Sequence, residues 1–110
     1  MSLETNESPA SLTICNCSIC RRYASLWGYF SPDDVELKVL DAGLSSYQRA
    51  EGYLDFNFCS RCGCLTHYLT TEKVSTPKMG INFRMAEPQV LENIPVRRFD
   101  GAEAWKYLDD

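Results

Sequence analysis

All six cysteines of this 110-residue chain fall in two short clusters, Cys15-Asn16-Cys17-Ser18-Ile19-Cys20 and Cys59-Ser60-Arg61-Cys62-Gly63-Cys64. The spacings are C-x-C-x-x-C and C-x-x-C-x-C, and three chemistries could employ them. Disulfides need an oxidising compartment, and thiols bunched in triplets staple loops poorly. Buried free cysteines behave as small apolar side chains, which leaves so much clustered reactive thiol unexplained. Zinc is the third: it takes thiolates tetrahedrally at about 2.3 Å, and C-x-x-C is the spacing at which one turn brings two sulfurs to the same ion. Gly63 after Cys62 supports zinc. Backbone just beyond such a turn often needs a positive φ so that amide N–H groups can face the sulfurs, and glycine accepts it without steric cost.

The two triplets need not do the same job. A structural zinc is closed by four protein ligands, whereas a catalytic one typically has three and leaves a position for water or substrate. Cys15, Cys17 and Cys20 form a self-contained set of three that one loop could supply. Three thiolates would offset the charge of the ion and leave a soft centre suited to a soft ligand, such as a substrate thiol.

The rest of the chain narrows the function classes. With Lys+Arg 11 against Asp+Glu 15 the formal net charge is −4, and there is no basic stripe of the kind that neutralises phosphates, so nucleic acid is not an expected partner. The doublets Arg21-Arg22 and Arg97-Arg98 read as solvated faces, with a small anionic ligand as the other reading. No apolar run approaches the ~18 residues of a membrane span and no signal-peptide layout opens the chain, so a soluble, cytoplasmic protein is expected. No Ser-His-Asp arrangement or Gly-rich phosphate loop can be read, and Asp33-Asp34 sit in a plain turn.

The length suits one domain. Residues 1–10 are polar and aperiodic and are expected to form a disordered or extended leader, and residues 11–110 a single zinc-binding domain. Val35, Leu37 and Val39 alternate with Glu36 and Lys38 after the turn at residues 31–34, which predicts a half-buried strand closed by Asp41-Ala42-Gly43. Further strands are predicted over residues 44–49, 54–58 running into Cys59, 65–70, 80–85 and 96–99. Helical stretches are predicted at 18–25 and 88–93, with a last helical turn over 102–108 carrying Trp105 and Leu108 on one side. The fold class is mainly β with short helices.

The stretches Cys15-Asn16-Cys17-Ser18-Ile19-Cys20-Arg21-Arg22, Phe56-Asn57-Phe58-Cys59-Ser60-Arg61-Cys62-Gly63 and Gly80-Ile81-Asn82-Phe83-Arg84 resemble the glutathione-dependent formaldehyde-activating enzyme family, whose relatives include centromere protein V. The resemblance runs over residues 11–100. It implies an Mss4-like, mainly β fold with two zinc sites. By that similarity Cys15, Cys17 and Cys20 correspond to the three-cysteine catalytic zinc, and Cys59 and Cys62 to half of a four-cysteine structural site. The implied activity joins formaldehyde to glutathione as S-(hydroxymethyl)glutathione, a carbon–sulfur lyase in the reverse sense, with a small-molecule thiol and a small aldehyde as partners. The chemistry suits the residues, since a thiol is readily ionised beside a cation and its sulfur can attack an electrophilic carbonyl carbon.

One departure stands out. The family's opening strand carries a C-x-C-G that supplies the other structural ligands, and no cysteine precedes Cys15 here. A truncated sequence, a lost second zinc, or Cys64 acting as a third ligand would each account for it. His67, the one histidine, reads as a half-buried, hydrogen-bonded strand residue, with metal ligand or proton shuttle as the other reading. Tyr23, Trp27, Tyr29 and Phe30 read as core or as one wall of a pocket. Arg21, Arg22 and Arg84 are candidates to receive the carboxylates of the thiol substrate. Beside the lyase-type enzyme stand two further readings, a non-catalytic zinc-binding interaction module on the same fold and a redox activity using one cysteine as an attacking thiolate.

Overall fold

The computed structural model of the protein describes residues 2–39, 43–48 and 51–108. In chain order the elements are β1 (Ser2–Thr5), β2 (Leu12–Cys15), α1 (Ser18–Tyr23), β3 (Trp27–Phe30), β4 (Val35–Lys38), β5 (Leu44–Gln48), β6 (Leu54–Cys59), β7 (Leu65–Thr70), β8 (Met79–Asn82), α2 (Pro88–Leu91), β9 (Val96–Asp100) and β10 (Lys106–Tyr107). Single 3-10 turns occupy Pro32–Asp34 and Phe83–Met85. The chain is mainly β with short helices, as the alternating apolar pattern predicts.

The differences from the sequence reading have local causes. Helix α1 stops at Tyr23 because Ala24 turns left-handed (φ 54) and donates its N–H to Arg21 O at 3.3 Å. The strand predicted over 80–85 ends at Asn82, whose side chain accepts the Arg84 N–H at 3.2 Å and opens the 3-10 turn. The helical turn predicted over 102–108 is instead a tight turn followed by β10, and Trp105 at φ 53 is incompatible with a right-handed helix. A strand at Trp27–Phe30 escaped the sequence reading, which took those aromatics as core or pocket wall. Within the polar leader Ser2–Thr5 are extended and pair antiparallel with Val35–Lys38. Asp41, Ala42 and Arg49 lie outside the described residues.

The chain forms two compact units, each discontinuous in sequence. The first comprises the described residues of Met1–Ser8 and Tyr29–Ile81. Its strands run β8-β7-β6-β5, each pair antiparallel, and β1 and β4 form a separate ribbon. Phe56, Leu65, Tyr68, Met79 and Ile81 are its buried apolar side chains, with Phe56 and Tyr68 meeting edge to face at 5.9 Å.

The second unit comprises the described residues of Pro9–Gly28 and Asn82–Asp110. Its strands run β10-β9-β2-β3. Strand β2 pairs parallel with β9, Leu12 opposite Val96 and Cys15 opposite Phe99, so residues from the two ends of the sequence lie side by side. Leu12, Leu26 and Trp27 are buried there, and the Phe83 ring packs on Gly28 so closely that a Cβ would stand 2.5 Å from Phe83 Cε1. The buried Asn82 Oδ1 also accepts the Leu26 N–H at 3.1 Å.

Candidate metal centre

The first triplet lies in the second unit at the junction of β2 and α1. Cys15 closes the strand, Cys17 is the helix N-cap, and Cys20 sits in the first turn. Extended backbone turns the side chains of residues two apart to one side, and one helical turn returns a residue three further on. The three sulfurs therefore converge: they all lie within 4.8 Å of one another, and no other such group of His, Cys, Asp or Glu occurs among the described residues. Three sulfurs on a tetrahedral zinc would stand roughly 3.8 Å apart, given the usual bond length. Three thiol sulfurs gathered this closely are a donor set that fits a soft, zinc-sized cation.

The loop also favours negative charge. The Cys17 sulfur accepts the Cys20 N–H at 3.4 Å, serving as the helix cap. Cys15 is held well below the usual thiol range, chiefly by a hydrogen bond from the Cys20 side chain, against the opposing effect of burial, with the backbone N–H groups of Cys17 and Gly101 also facing its sulfur. Cys20 is pushed upward by that same contact and by burial, while the Trp27 indole N–H opposes the rise. Trp27 is 1% exposed, so its ring belongs to the core.

Three non-cysteine residues, Asn16, Asp100 and Gly101, meet in this neighbourhood. Asn16 donates its backbone N–H to Phe99 O at 3.2 Å and its Nδ2 to Asp100 Oδ1 at 3.1 Å, and its Oδ1 accepts the Ala102 N–H at 3.0 Å. Gly101 passes so close that a Cβ would meet the Cys15 sulfur at 2.6 Å. The Asp100-Gly101 dipeptide is a turn signal, but nothing local ties it to the cysteine loop.

The arginines singled out from sequence are at the edge of this region. Arg21 and Arg22 are exposed in the last turn of α1, where Arg22 donates to Ser18 O at 2.6 Å. Exposed Arg84 donates its Nε–H to Ala24 O at 3.0 Å.

The second triplet lies in the first unit, where β6 ends at Cys59. Gly63 donates to Cys59 O at 2.8 Å and Cys59 to Cys64 O at 2.9 Å, and Gly63 takes φ 78. The backbone N–H groups of Cys62 and Arg61 lower the Cys59 thiol, and the Cys62 side chain raises that of Cys64. Cys62 and Cys64 are exposed.

His67 is not half-buried but fully so, at 0% exposure in the middle of β7. Its Nδ1 lies 2.8 Å from Thr66 Oγ1, its Nε2 has no hydrogen-bond partner among the described residues, and burial lowers its pKa. The reason for the deeper burial is that β7 is an inner strand, paired on both sides with β6 and β8.

Among the described residues no helix is long and apolar enough to cross a membrane. The crystal structure of a Rhodobacter sphaeroides protein is similar in fold, with a TM-score of 0.64 and 24% identity over 86% of this chain and 87% of that chain. No curated protein matches the chain. The family model described as glutathione-dependent formaldehyde-activating enzyme matches residues 1–93, which leaves β9, β10 and the turn between them beyond the matched region.

Proposed function

The chain belongs to the glutathione-dependent formaldehyde-activating enzyme family, and on that premise we propose that it is a zinc-dependent carbon–sulfur lyase-type enzyme joining a small-molecule thiol, such as glutathione, to a small aldehyde. The observation that carries the proposal is the convergence of the Cys15, Cys17 and Cys20 sulfurs within 4.8 Å of one another. These three would hold the zinc, and Cys59 and Cys62 are proposed as ligands of a second, structural ion. Zinc held there would supply Lewis acidity toward an incoming thiol sulfur, favouring its ionised form near neutral pH.

The roles proposed for the chain's own residues follow from their positions. The N–H groups facing Cys15 stabilise its thiolate, and buried Trp27 keeps water from the inner side of Cys20. Arg21 and Arg22 place positive charge at the end of α1, where a guanidinium fork suits the carboxylates of an anionic thiol. In the reaction a C–S bond forms between the substrate sulfur and the carbonyl carbon. The S–H proton passes to water, the carbonyl π pair moves to oxygen, which takes a proton from water in turn, so that no net proton is gained or lost, and the lyase direction reverses each change.

Product formation from glutathione and formaldehyde, measured alongside zinc per chain, tests the proposal. Cys17→Ser is expected to abolish turnover with the fold retained, since it removes a ligand and the α1 cap sulfur together. Undiminished turnover in that variant would remove the triplet from the chemistry. A wild-type site indifferent to added glutathione would favour the interaction-module reading instead.

A further inference from the structure

We infer that the turn from Asp100 to Trp105 is the outer support of the Cys15–Cys17–Cys20 loop, with Asn16, Asp100 and Gly101 acting as positioning residues for the metal-binding sulfurs. The inference rests on reading that loop as a metal site. Asp100 and Gly101 lie beyond the matched residues 1–93 and outside both cysteine clusters, and Asn16 fills the non-cysteine position of the C-x-C.

The geometry has three parts. Asn16 stands between two of the cysteines, and its backbone N–H, Nδ2 and Oδ1 are all bonded to the β9 end and the following turn, on Phe99 O, Asp100 Oδ1 and Ala102 N. Extended backbone turns both sulfurs of a C-x-C pair to one side, and three bonds at the central residue hold that conformation. Gly101 closes on Cys15 from the same turn. A Cβ there would stand 2.6 Å from the Cys15 sulfur, so the approach leaves no room for a side chain unless that sulfur shifts.

The turn itself is closed by its own hydrogen bonds. Asp100 accepts the Glu103 N–H on Oδ1 and the Ala104 N–H on Oδ2, both at 3.1 Å, and the Trp105 N–H on its carbonyl at 2.7 Å. Trp105 sits at φ 53, left-handed backbone that is uncommon for a bulky residue, and is 72% exposed. Its ring meets Phe99 edge to face at 5.1 Å, and Phe99 is the strand partner of Cys15. Ligand-orienting partners of this kind are typically worth 10- to 100-fold in metal affinity.

The test uses zinc-loaded protein in chelator competition, and Co(II)-substituted protein for its thiolate charge-transfer and ligand-field bands. The part of the signal missing from Cys17→Ser defines the triplet. Gly101→Ala and Asn16→Ala are expected to weaken that part by about 10- to 100-fold and to shift its Co(II) bands, with far-UV circular dichroism unchanged at saturating zinc. Asn16 is exposed, so Asn16→Ala decides the matter if Gly101→Ala fails to fold. Variant affinities within twofold of wild type, with identical bands, would overturn the inference and leave the proposed function standing. A wild-type chain with no Cys17-dependent Co(II) signal would overturn both.

Discussion

At His67 a titratable ring sits where water does not reach, and burial lowers its pKa from the ordinary value of 6.5. The sign of the consequence is definite. As pH falls through about 6.5 the unfolded chain takes up the proton before the folded one does, so the unfolded state binds more protons and stability declines. The full contribution is present above about pH 6.5 and is lost between there and the lowered folded value. Urea midpoints measured at about pH 7.5 and about pH 5.5 should therefore fall with acidity, and His67→Gln should flatten the slope. An unchanged slope in that variant would place the pH dependence elsewhere. Gly63 makes a separate single-residue case: at φ 78 with no atom within 4 Å of a would-be Cβ, Gly63→Ala meets backbone strain but no clash. A loss of about 1–2 kcal/mol by urea unfolding is expected, the usual left-handed penalty for an L-residue.

Among the elements, β2 carries the most weight because it serves both the core and the metal loop. Leu12 is 0% exposed and Thr13 is also buried, and the strand leads directly into Cys15. Leu12→Ala should cost about 2–5 kcal/mol in urea unfolding, the transfer and cavity penalty of a buried leucine. Val39→Ala, at a position 44% exposed, should stay within about 0.5 kcal/mol. Equal effects in the two variants would mean that β2 is not the buried strand described. Helix α1 has six residues, too few to persist alone, so its first turn depends on the Cys17 cap and on β2 for its position. The other short elements show the same dependence: a side-chain cap at Asn82 ends β8, and the left-handed Trp105 precedes β10.

For the whole molecule the central question is how much of its stability comes from metal. A 110-residue chain is expected to be stable by about 5–15 kcal/mol, whereas structural zinc in small cysteine sites contributes about 10–16 kcal/mol. On the proposed zinc content, verified removal by a strong chelator should lower the melting temperature sharply or unfold the chain, and an unchanged melting temperature would contradict it. Local signals made much of this protein legible: the spacing of Cys15, Cys17 and Cys20 is itself strand-then-helix geometry, and alternation at Leu54, Phe56 and Phe58 marks β6. Both work because a strand has period two and a helical turn period 3.6, so neighbours in sequence suffice. Long-range pairing settled the rest. Only the parallel match of β2 with β9 brings Asp100 to Asn16, 84 residues away, sets Gly101 against Cys15, and makes a strand of Lys106–Tyr107 where the sequence suggested a helical turn. Hydrogen bonds between such distant residues leave no periodic trace along the chain, and they form only when the sheet has closed.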